Sequence, residues 1–409
     1  MDNPRPLNIG MVITYDLSET GGGVKQHARQ LAEALRQRGD QVTLFGPSTR
    51  SIEALQLRGF RGVVDISSNG SGNRLGIFVS PLAMWQFIRQ QQFDVLHIHE
   101  PLPPVVPYYA AWMSPGVPKI ATFHAYSERS SKLLLAARRI FAPLILPFIS
   151  RGLAVSEPAS RHARIDWRGP LQVIPNGIFT QAFPPGAHRT TRSTLRLLFV
   201  GRALDERKGL AYLLEAVARA RAMGVEAELH VVGERDPGTS KRLPPYVLHH
   251  GPLSEAALAE KYRTCDIFVA PSTGQESFGL VLLEAMSAAR PIICSSIDGY
   301  QQAANPEGTR WVPPRNVEAL SHAIVDLAKH PDECTRMGES NTRHVKQFEW
   351  SQLAPRIRDE YLSTIADYQR ARNPVVQQRT ILSLPSGSEV VPAADLSRLE
   401  PREQVLDDV

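Results

Sequence analysis

Two carboxylates, Glu276 and Glu284, are separated by seven residues in the run Ala270-Pro-Ser-Thr-Gly-Gln-Glu-Ser-Phe-Gly-Leu-Val-Leu-Leu-Glu-Ala-Met286. Asp266 to Ala270 predicts a strand and Pro-Ser-Thr-Gly a turn. Ser277 then marks the opening of a helix whose unpaired N–H groups would face a ligand beyond the strand end. Such an end attracts anions. Leu280, Val281, Leu282, Leu283, Ala285 and Met286 surround Glu284 with apolar side chains, so its charge needs hydrogen-bond donors. A ribose diol offers two O–H donors at the separation of the two carboxylate oxygens. The other reading makes Glu276 a first-turn acid and Glu284 the partner of a lysine.

Positive charge opposite these acids comes from Gly201-Arg202-Ala-Leu-Asp-Glu-Arg207-Lys208-Gly209, just past another predicted strand. A nucleoside diphosphate gains negative charge as its bond to a sugar breaks. Arg202 and Lys208, preset near a helix N-terminus, would then stabilise the transition state more than the ground state, and no metal is required. Taken alone, the run also reads as a charged solvent loop. His97 and His99 share one face of a strand and His124 ends another, but no carboxylate or cysteine completes a known metal-ligand spacing, so no metal site is assigned. His27 lies close to the apolar face of a helix and reads as a hydrogen-bonded core residue.

The elements that must position these residues alternate between strand and helix. Asn8 to Thr14 is a buried strand, Val24, Ala28, Leu31 and Leu35 recur at helical spacing up to Gly39, and Gln41 to Phe45 is a second strand. Phe93 to Ile98, Lys119 to Phe123, Gly152 to Ser156 and Leu171 to Ile174 continue the series, which is that of an α/β, doubly wound parallel sheet. A polar, proline-rich passage from Gln181 to Ser193 reads as a linker. The alternation restarts with Leu195 to Val200, a helix from Leu210 to Ala222, and strands Ala227 to Val232, Tyr246 to His249, Asp266 to Ala270 and Pro291 to Cys294. Two similar sheets facing one another are expected.

Composition narrows the class further. The chain has 409 residues, 43% of them hydrophobic, enough for two cores. The expected units are residues 1–180, residues 181–352 with a helix 353–372 crossing back to the first, and a disordered tail 373–409. Three arginines against six acids in that tail leave the preceding body at +8, a balance that suits phosphate substrates and anionic membrane surfaces. No basic run interleaved with aromatics, zinc-finger spacing or RNA-binding signature occurs, so nucleic acid is not an expected partner. Thr20-Gly-Gly-Gly-Val24 allows close backbone approach to a phosphate or sugar. It is not the dinucleotide fingerprint, because Gln26 holds the last glycine place and no strand-end acid awaits a ribose. Cys265, Cys294 and Cys334 share no paired or metal-like spacing and suit core positions in a reducing cytosol. The Met-Asp-Asn-Pro-Arg-Pro start has no apolar h-region, so no signal peptide is predicted.

The Glu276 to Glu284 run resembles, residue for residue, the E-x7-E element of the retaining glycosyltransferases of family 4, which have the GT-B fold. The resemblance implies two facing doubly wound, Rossmann-like domains with the active site in the cleft between them. It implies that Glu276 meets the donor sugar, that the backbone of Ser277, Phe278, Gly279 and Leu280 meets sugar and diphosphate, and that Glu284 binds the ribose. Arg202, Arg207 and Lys208 match the diphosphate-binding positions, and Leu253, Ser254 and Glu255 would meet the base through their backbone. His124 falls where the family keeps a histidine beside the reacting sugar. The turn Pro175-Asn-Gly177 also matches, with Phe179 in place of the acid usual two places on.

Within family 4 the chain is similar to the phosphatidylinositol α-mannosyltransferases over residues 8–370, which implies GDP-mannose as donor, phosphatidylinositol as acceptor and no metal cofactor. Tyr15 and Gly23 match substrate-binding positions of those enzymes. Asn69-Gly-Ser-Gly-Asn-Arg74 resembles their inositol-phosphate loop, and Arg129 stands where they keep a basic residue. Lys25 replaces a glutamine and Ser68 a tyrosine near the acceptor, so the acceptor set is Tyr15, Lys25, Ser68, Asn69 and Arg74. No segment is expected to span a membrane, since Arg138, Arg139 and Pro143 interrupt Leu133 to Ile149. That stretch, with Lys132, and Pro81 to Arg89 are candidates for lying on one, which places the protein in the cytoplasm at the inner face of the cell membrane. The residues leave open a UDP-sugar donor, another lipid or small acceptor, a nucleotide-sugar 2-epimerase and a silent sugar-nucleotide binding protein. An epimerase would need acid and base groups on either face of the sugar C2, and no paired set is seen.

Overall fold

Short apolar runs alternating with amphipathic segments build two sheets. The computed structural model describes residues 5–18, 21–50, 52–54, 56–68, 71–126, 132–186, 194–203, 205–234 and 243–372. The first strands are β1 (Asn8–Ile13), β2 (Gln41–Pro47), β3 (Ile52–Ala54), β4 (Leu57–Phe60), β5 (Val63–Ser68), β6 (Ser71–Gly76), β7 (Val95–His99), β8 (Lys119–Phe123), β9 (Arg151–Ala154) and β10 (Leu171–Val173). Eight of them form one sheet in the order β10-β9-β8-β7-β1-β2-β4-β3, parallel except for the β3–β4 edge pair. The second sheet holds β11 (Leu195–Val200), β12 (Ala227–Val232), β13 (Val247–Gly251), β14 (Ile267–Ala270), β15 (Ile292–Ser295) and β16 (Thr309–Val312) in the order β13-β12-β11-β14-β15-β16, parallel throughout.

The helices are α1 (Gly23–Gln37), α2 (Pro81–Gln91), α3 (Val106–Trp112), α4 (Lys132–Ile145), α5 (Glu157–Ala163), α6 (Leu210–Ala222), α7 (Glu255–Thr264), α8 (Leu280–Ser287), α9 (Asp298–Gln301), α10 (Val317–Lys329), α11 (Pro331–His344) and α12 (Trp350–Arg372). Apolar residues of the second sheet fall into two clusters, and those of the first into two large ones and a small one at Ala154, Val155 and Ala159. In the first sheet, Trp350, Leu353, Ala354, Ile357 and Tyr361 of α12 share a buried cluster with Ile9, Met11 and Leu31. Leu353 and Ile357 each contribute about 1.5–3 kcal/mol when withdrawn from water. Arg358 of α12 adds a buried pair with Asp40 at 2.9 Å, and Trp350 Nε1 donates to Gln30 Oε1 at 2.9 Å. The last turn of α12, from Asp367, begins a second unit, Asp367–Val409, whose residues beyond 372 lie outside the described ones.

Two local expectations are corrected. The Asn69 to Arg74 run is not a loop in its described part. Ser71–Gly76 is β6, an antiparallel partner of β5, and the register sets Arg74 across from Asp65. The β-branched Val63, Val64 and Ile66 give that ribbon its pairing preference, which the glycines conceal in the sequence. Helix α8 opens at Leu280 rather than near Ser277. Gly279 precedes it with φ 94°, and a Cβ there would stand 2.7 Å from the Tyr300 ring. Only glycine fits both constraints.

Candidate active site

β11 and β14 are neighbours, and the loops leaving their carboxyl ends carry the basic run and Glu276. Ligands bind at such ends of open parallel sheets. Thr273 N–H donates to the Arg207 carbonyl at 2.7 Å, which ties the two loops together. Beside that tie, Lys208 Nζ meets Glu276 Oε1 at 2.5 Å. Ser272 Oγ lies 3.4 Å from the same oxygen and 2.7 Å from the Tyr300 hydroxyl, so a buried polar chain backs the acid. Gln275, just before it, has φ 58°, a left-handed conformation whose strain collects at functional sites. A carboxylate and an ammonium held together here can take sugar hydroxyls and a phosphate oxygen respectively.

The remaining cations differ in their ties. Arg207 gives Nε (2.9 Å) and Nη2 (2.6 Å) to Asp205, which holds its pKa above the usual value. Its expected diphosphate contact therefore competes with Asp205. Arg202 lies more loosely at 3.9 Å from the same carboxylate, with 37% of its side chain exposed. Ser254 caps α7 by accepting from Ala257 N–H at 3.3 Å, Glu255 is the first residue of that helix, and Leu253 packs on the core of the second sheet. Phe278 is buried in that core, whereas Ser277, Gly279 and Leu280 beside it are half-buried.

Glu284 is 3% exposed, as its apolar neighbours predict, but its donors come from the protein. Gln26 Nε2 of α1 donates to Oε1 at 3.0 Å and the Tyr262 hydroxyl to Oε2 at 2.8 Å. Burial pushes the carboxyl up, and the two donors offset part of that shift. The Gln26 bond joins a helix of the first sheet to one of the second. Gly23 marks the same approach, since a Cβ on it would lie 3.5 Å from Leu280 Cδ1. A ribose at Glu284 would share Oε1 with Gln26 or take its place.

On the other side of the cleft, Tyr15, Lys25 and Arg74 gather around Asp16, a buried acid that sequence reasoning missed. Lys25 Nζ donates to the Asp16 carbonyl at 3.1 Å, Arg74 Nη1 stands 3.9 Å from Asp16 Oδ2, and Asp16 N–H donates to the Arg74 carbonyl at 3.0 Å. Tyr15 pairs with Leu75 next door. The signal was faint: one acid after Tyr15, far in sequence from Arg74. Ser68 ends β5, though its side chain is not described, and Asn69 and Arg129 lie outside the described residues.

His124 follows β8 and is 7% exposed, with Nε2 3.1 Å from His99 Nδ1. Glu100, at the end of β7 with φ 57°, accepts from the backbone N–H groups of His124 and, at 2.5 Å, Ala125. It holds His124 in place, and burial raises its pKa to about 7. His97 spends its ring nitrogens on the Tyr361 hydroxyl (2.7 Å) and Thr122 Oγ1 (2.6 Å). His27 is buried as expected, with the Asn176 side chain as its hydrogen-bond partner. Burial lowers all four rings, His27 to about 4 and His97 to about 3.

Helices α2, α3 and α4 pack side by side and leave large apolar residues in solvent: Leu82, Trp85, Trp112, Ile140 and Leu144, with Phe78 just before α2. Arg89 lies over the Trp85 ring at 4.9 Å. Arg138, expected on the charged edge of α4, is instead buried and paired with Asp166 at 2.5 Å, while Arg139 stays exposed. Among the described residues no helix is long and apolar enough to cross a membrane.

Two Rossmann-like sheets meeting at charged strand-end loops, with a C-terminal helix returned to the first sheet, define a glycosyltransferase of the GT-B class. The chain belongs to glycosyltransferase family 4: the profile described as Glycosyltransferase Family 4 matches residues 21–182, and that described as Glycosyl transferases group 1 matches residues 194–330. It is 30% identical over 366 residues to the phosphatidyl-myo-inositol mannosyltransferase of Mycobacterium leprae (strain TN), covering 87% of this chain and 96% of the relative. The D-inositol 3-phosphate glycosyltransferase of Arthrobacter sp. (strain FB24) is 27% identical, covering 86% and 92% respectively. The solved sucrose-phosphate synthase of Thermosynechococcus elongatus shares the fold, with a TM-score of 0.69 at 22% identity over 88% of this chain and 99% of that one.

Proposed function

We propose that this glycosyltransferase moves mannose from GDP-mannose to phosphatidylinositol, with retention of configuration, at the surface of a membrane. The observation that carries the transfer chemistry is the Lys208–Glu276 pair at 2.5 Å across the ends of β11 and β14. In this reading Glu276 accepts hydroxyls of the transferred sugar, and Lys208 with Arg202 stabilises the charge that grows on the departing diphosphate. Two protein cations suffice for that charge, so activity is expected to survive chelator treatment. The acceptor assignment draws on the names of the relatives and on the grouping of Arg74, Lys25 and Tyr15 around Asp16. Arg74 offers a planar fork of donors to a lipid phosphate and is 41% exposed to meet it. The exposed apolar residues of α2, α3 and α4 support docking on a lipid surface at the inner face of the cell membrane.

Steady-state kinetics of the Arg74→Ala variant test the acceptor half. The KM for phosphatidylinositol is expected to rise about tenfold or more, the loss of one charge-assisted contact, while the KM for GDP-mannose stays near that of the parent. An unchanged phosphatidylinositol KM would remove Arg74 from the acceptor site.

A further inference from the structure

Three imidazoles meet at the carboxyl edge of the first sheet, each from a different element. His27 comes from α1, His99 from the end of β7, and His124 from the residue after β8. All three are buried, at 2%, 0% and 7% exposure. One ring nitrogen from each lies within 4.8 Å of those of the other two, and the His99–His124 pair is already at 3.1 Å. A tetrahedral ion with metal–nitrogen bonds of roughly 2.0–2.1 Å sets its ligand nitrogens about 3.3 Å apart.

The hydrogen bonding of the trio is incomplete in a way that points to a ligand. Asn176 is the hydrogen-bond partner of His27, the role carbonyls play behind metal-bound histidines, which leaves the other His27 nitrogen and Nε2 of His99 buried without a partner among the described residues. Such orphans are costly, and native proteins retain them where a ligand or water completes the set. His97 is excluded as a ligand because Tyr361 and Thr122 take both of its nitrogens.

We propose that His27, His99 and His124 bind one divalent transition-metal ion of the zinc type, with a fourth position open to water. Imidazole suits zinc, copper, nickel and cobalt over magnesium or calcium, so the class follows from the donor set. The ion would tie α1 to the ends of β7 and β8. It would also occupy a nitrogen of His124, so it is an occupant of the site and not a cofactor of the transfer.

Cobalt(II) titration of the full chain, prepared without a histidine tag and stripped with chelator, tests this without an activity measurement. One equivalent is expected to bind with visible d–d absorption of a low-coordinate nitrogen site, and that absorption is expected to vanish in His27→Leu and in His99→Gln. Circular dichroism checks the fold of both variants, and either folded variant decides. The partly exposed trio Asp326, His330 and Glu333 is the competing site among the described residues. The His330→Ala variant is expected to keep the absorption. No d–d absorption in the parent, absorption retained in His27→Leu and His99→Gln, or absorption lost in His330→Ala would each overturn the proposal.

Discussion

Glu276 and Lys208 call for single and paired substitutions, because each stands as the other's partner at 2.5 Å. Removing Glu276 leaves an ammonium that still meets phosphate, whereas removing Lys208 takes away charge where the leaving group needs it. Glu276→Ala is therefore expected to lose most turnover while GDP still binds, as read by calorimetry beside a turnover assay. Lys208→Ala and Arg202→Ala are each expected to lower kcat/KM by about 2–4 kcal/mol of transition-state stabilisation. Equal losses of GDP affinity in Glu276→Ala would contradict its assignment to the sugar. Their shared bond should also make the Glu276→Ala/Lys208→Ala double variant less impaired than the two single effects added together.

Secondary structure was legible where one period ran uninterrupted. The strands Leu195–Val200 and Ala227–Val232 and the helix Leu210–Ala222 have the bounds their apolar spacing predicts. The β5–β6 ribbon was not, because Ser71-Gly-Asn carries no strand preference and its pairing with Ser68, Ser67 and Ile66 of β5 decides it. The start of α8 was misplaced because a tertiary contact of Gly279 with Tyr300 sets it. The site followed the same rule. Glu276, Glu284 and the basic loop were visible as motifs, whereas Asp16, Glu100, Tyr262 and Gln26 are single residues brought in by the fold. Gln26 yields a prediction at the level of elements, since its bond from α1 to α8 occupies the oxygen a ribose would use. Gln26→Ala is expected to tighten GDP binding about two- to tenfold, the equivalent of one net hydrogen bond. Unchanged or weaker binding in calorimetry would place the ribose elsewhere.

At the scale of the whole molecule, the apolar side chains of α2, α3 and α4 lie on the half of the chain that carries the proposed acceptor residues Tyr15, Lys25 and Arg74. A lipid acceptor would then reach Arg74 without leaving its bilayer. Replacing Leu82 and Ile140, exposed at 61% and 65%, by Glu is expected to cut sedimentation with anionic vesicles several-fold and leave thermal stability nearly unchanged. Sedimentation equal to that of the parent would remove this face from membrane contact.

The central claim joins both sheets in one reaction, and product analysis tests it most directly. Purified protein, GDP-mannose and phosphatidylinositol vesicles are expected to yield an α-linked mannosyl lipid and one GDP per transfer, by mass spectrometry and NMR of the anomeric proton. Transfer from a UDP-sugar but not from GDP-mannose, or glycosylation of another acceptor while phosphatidylinositol stays unmodified, would contradict it.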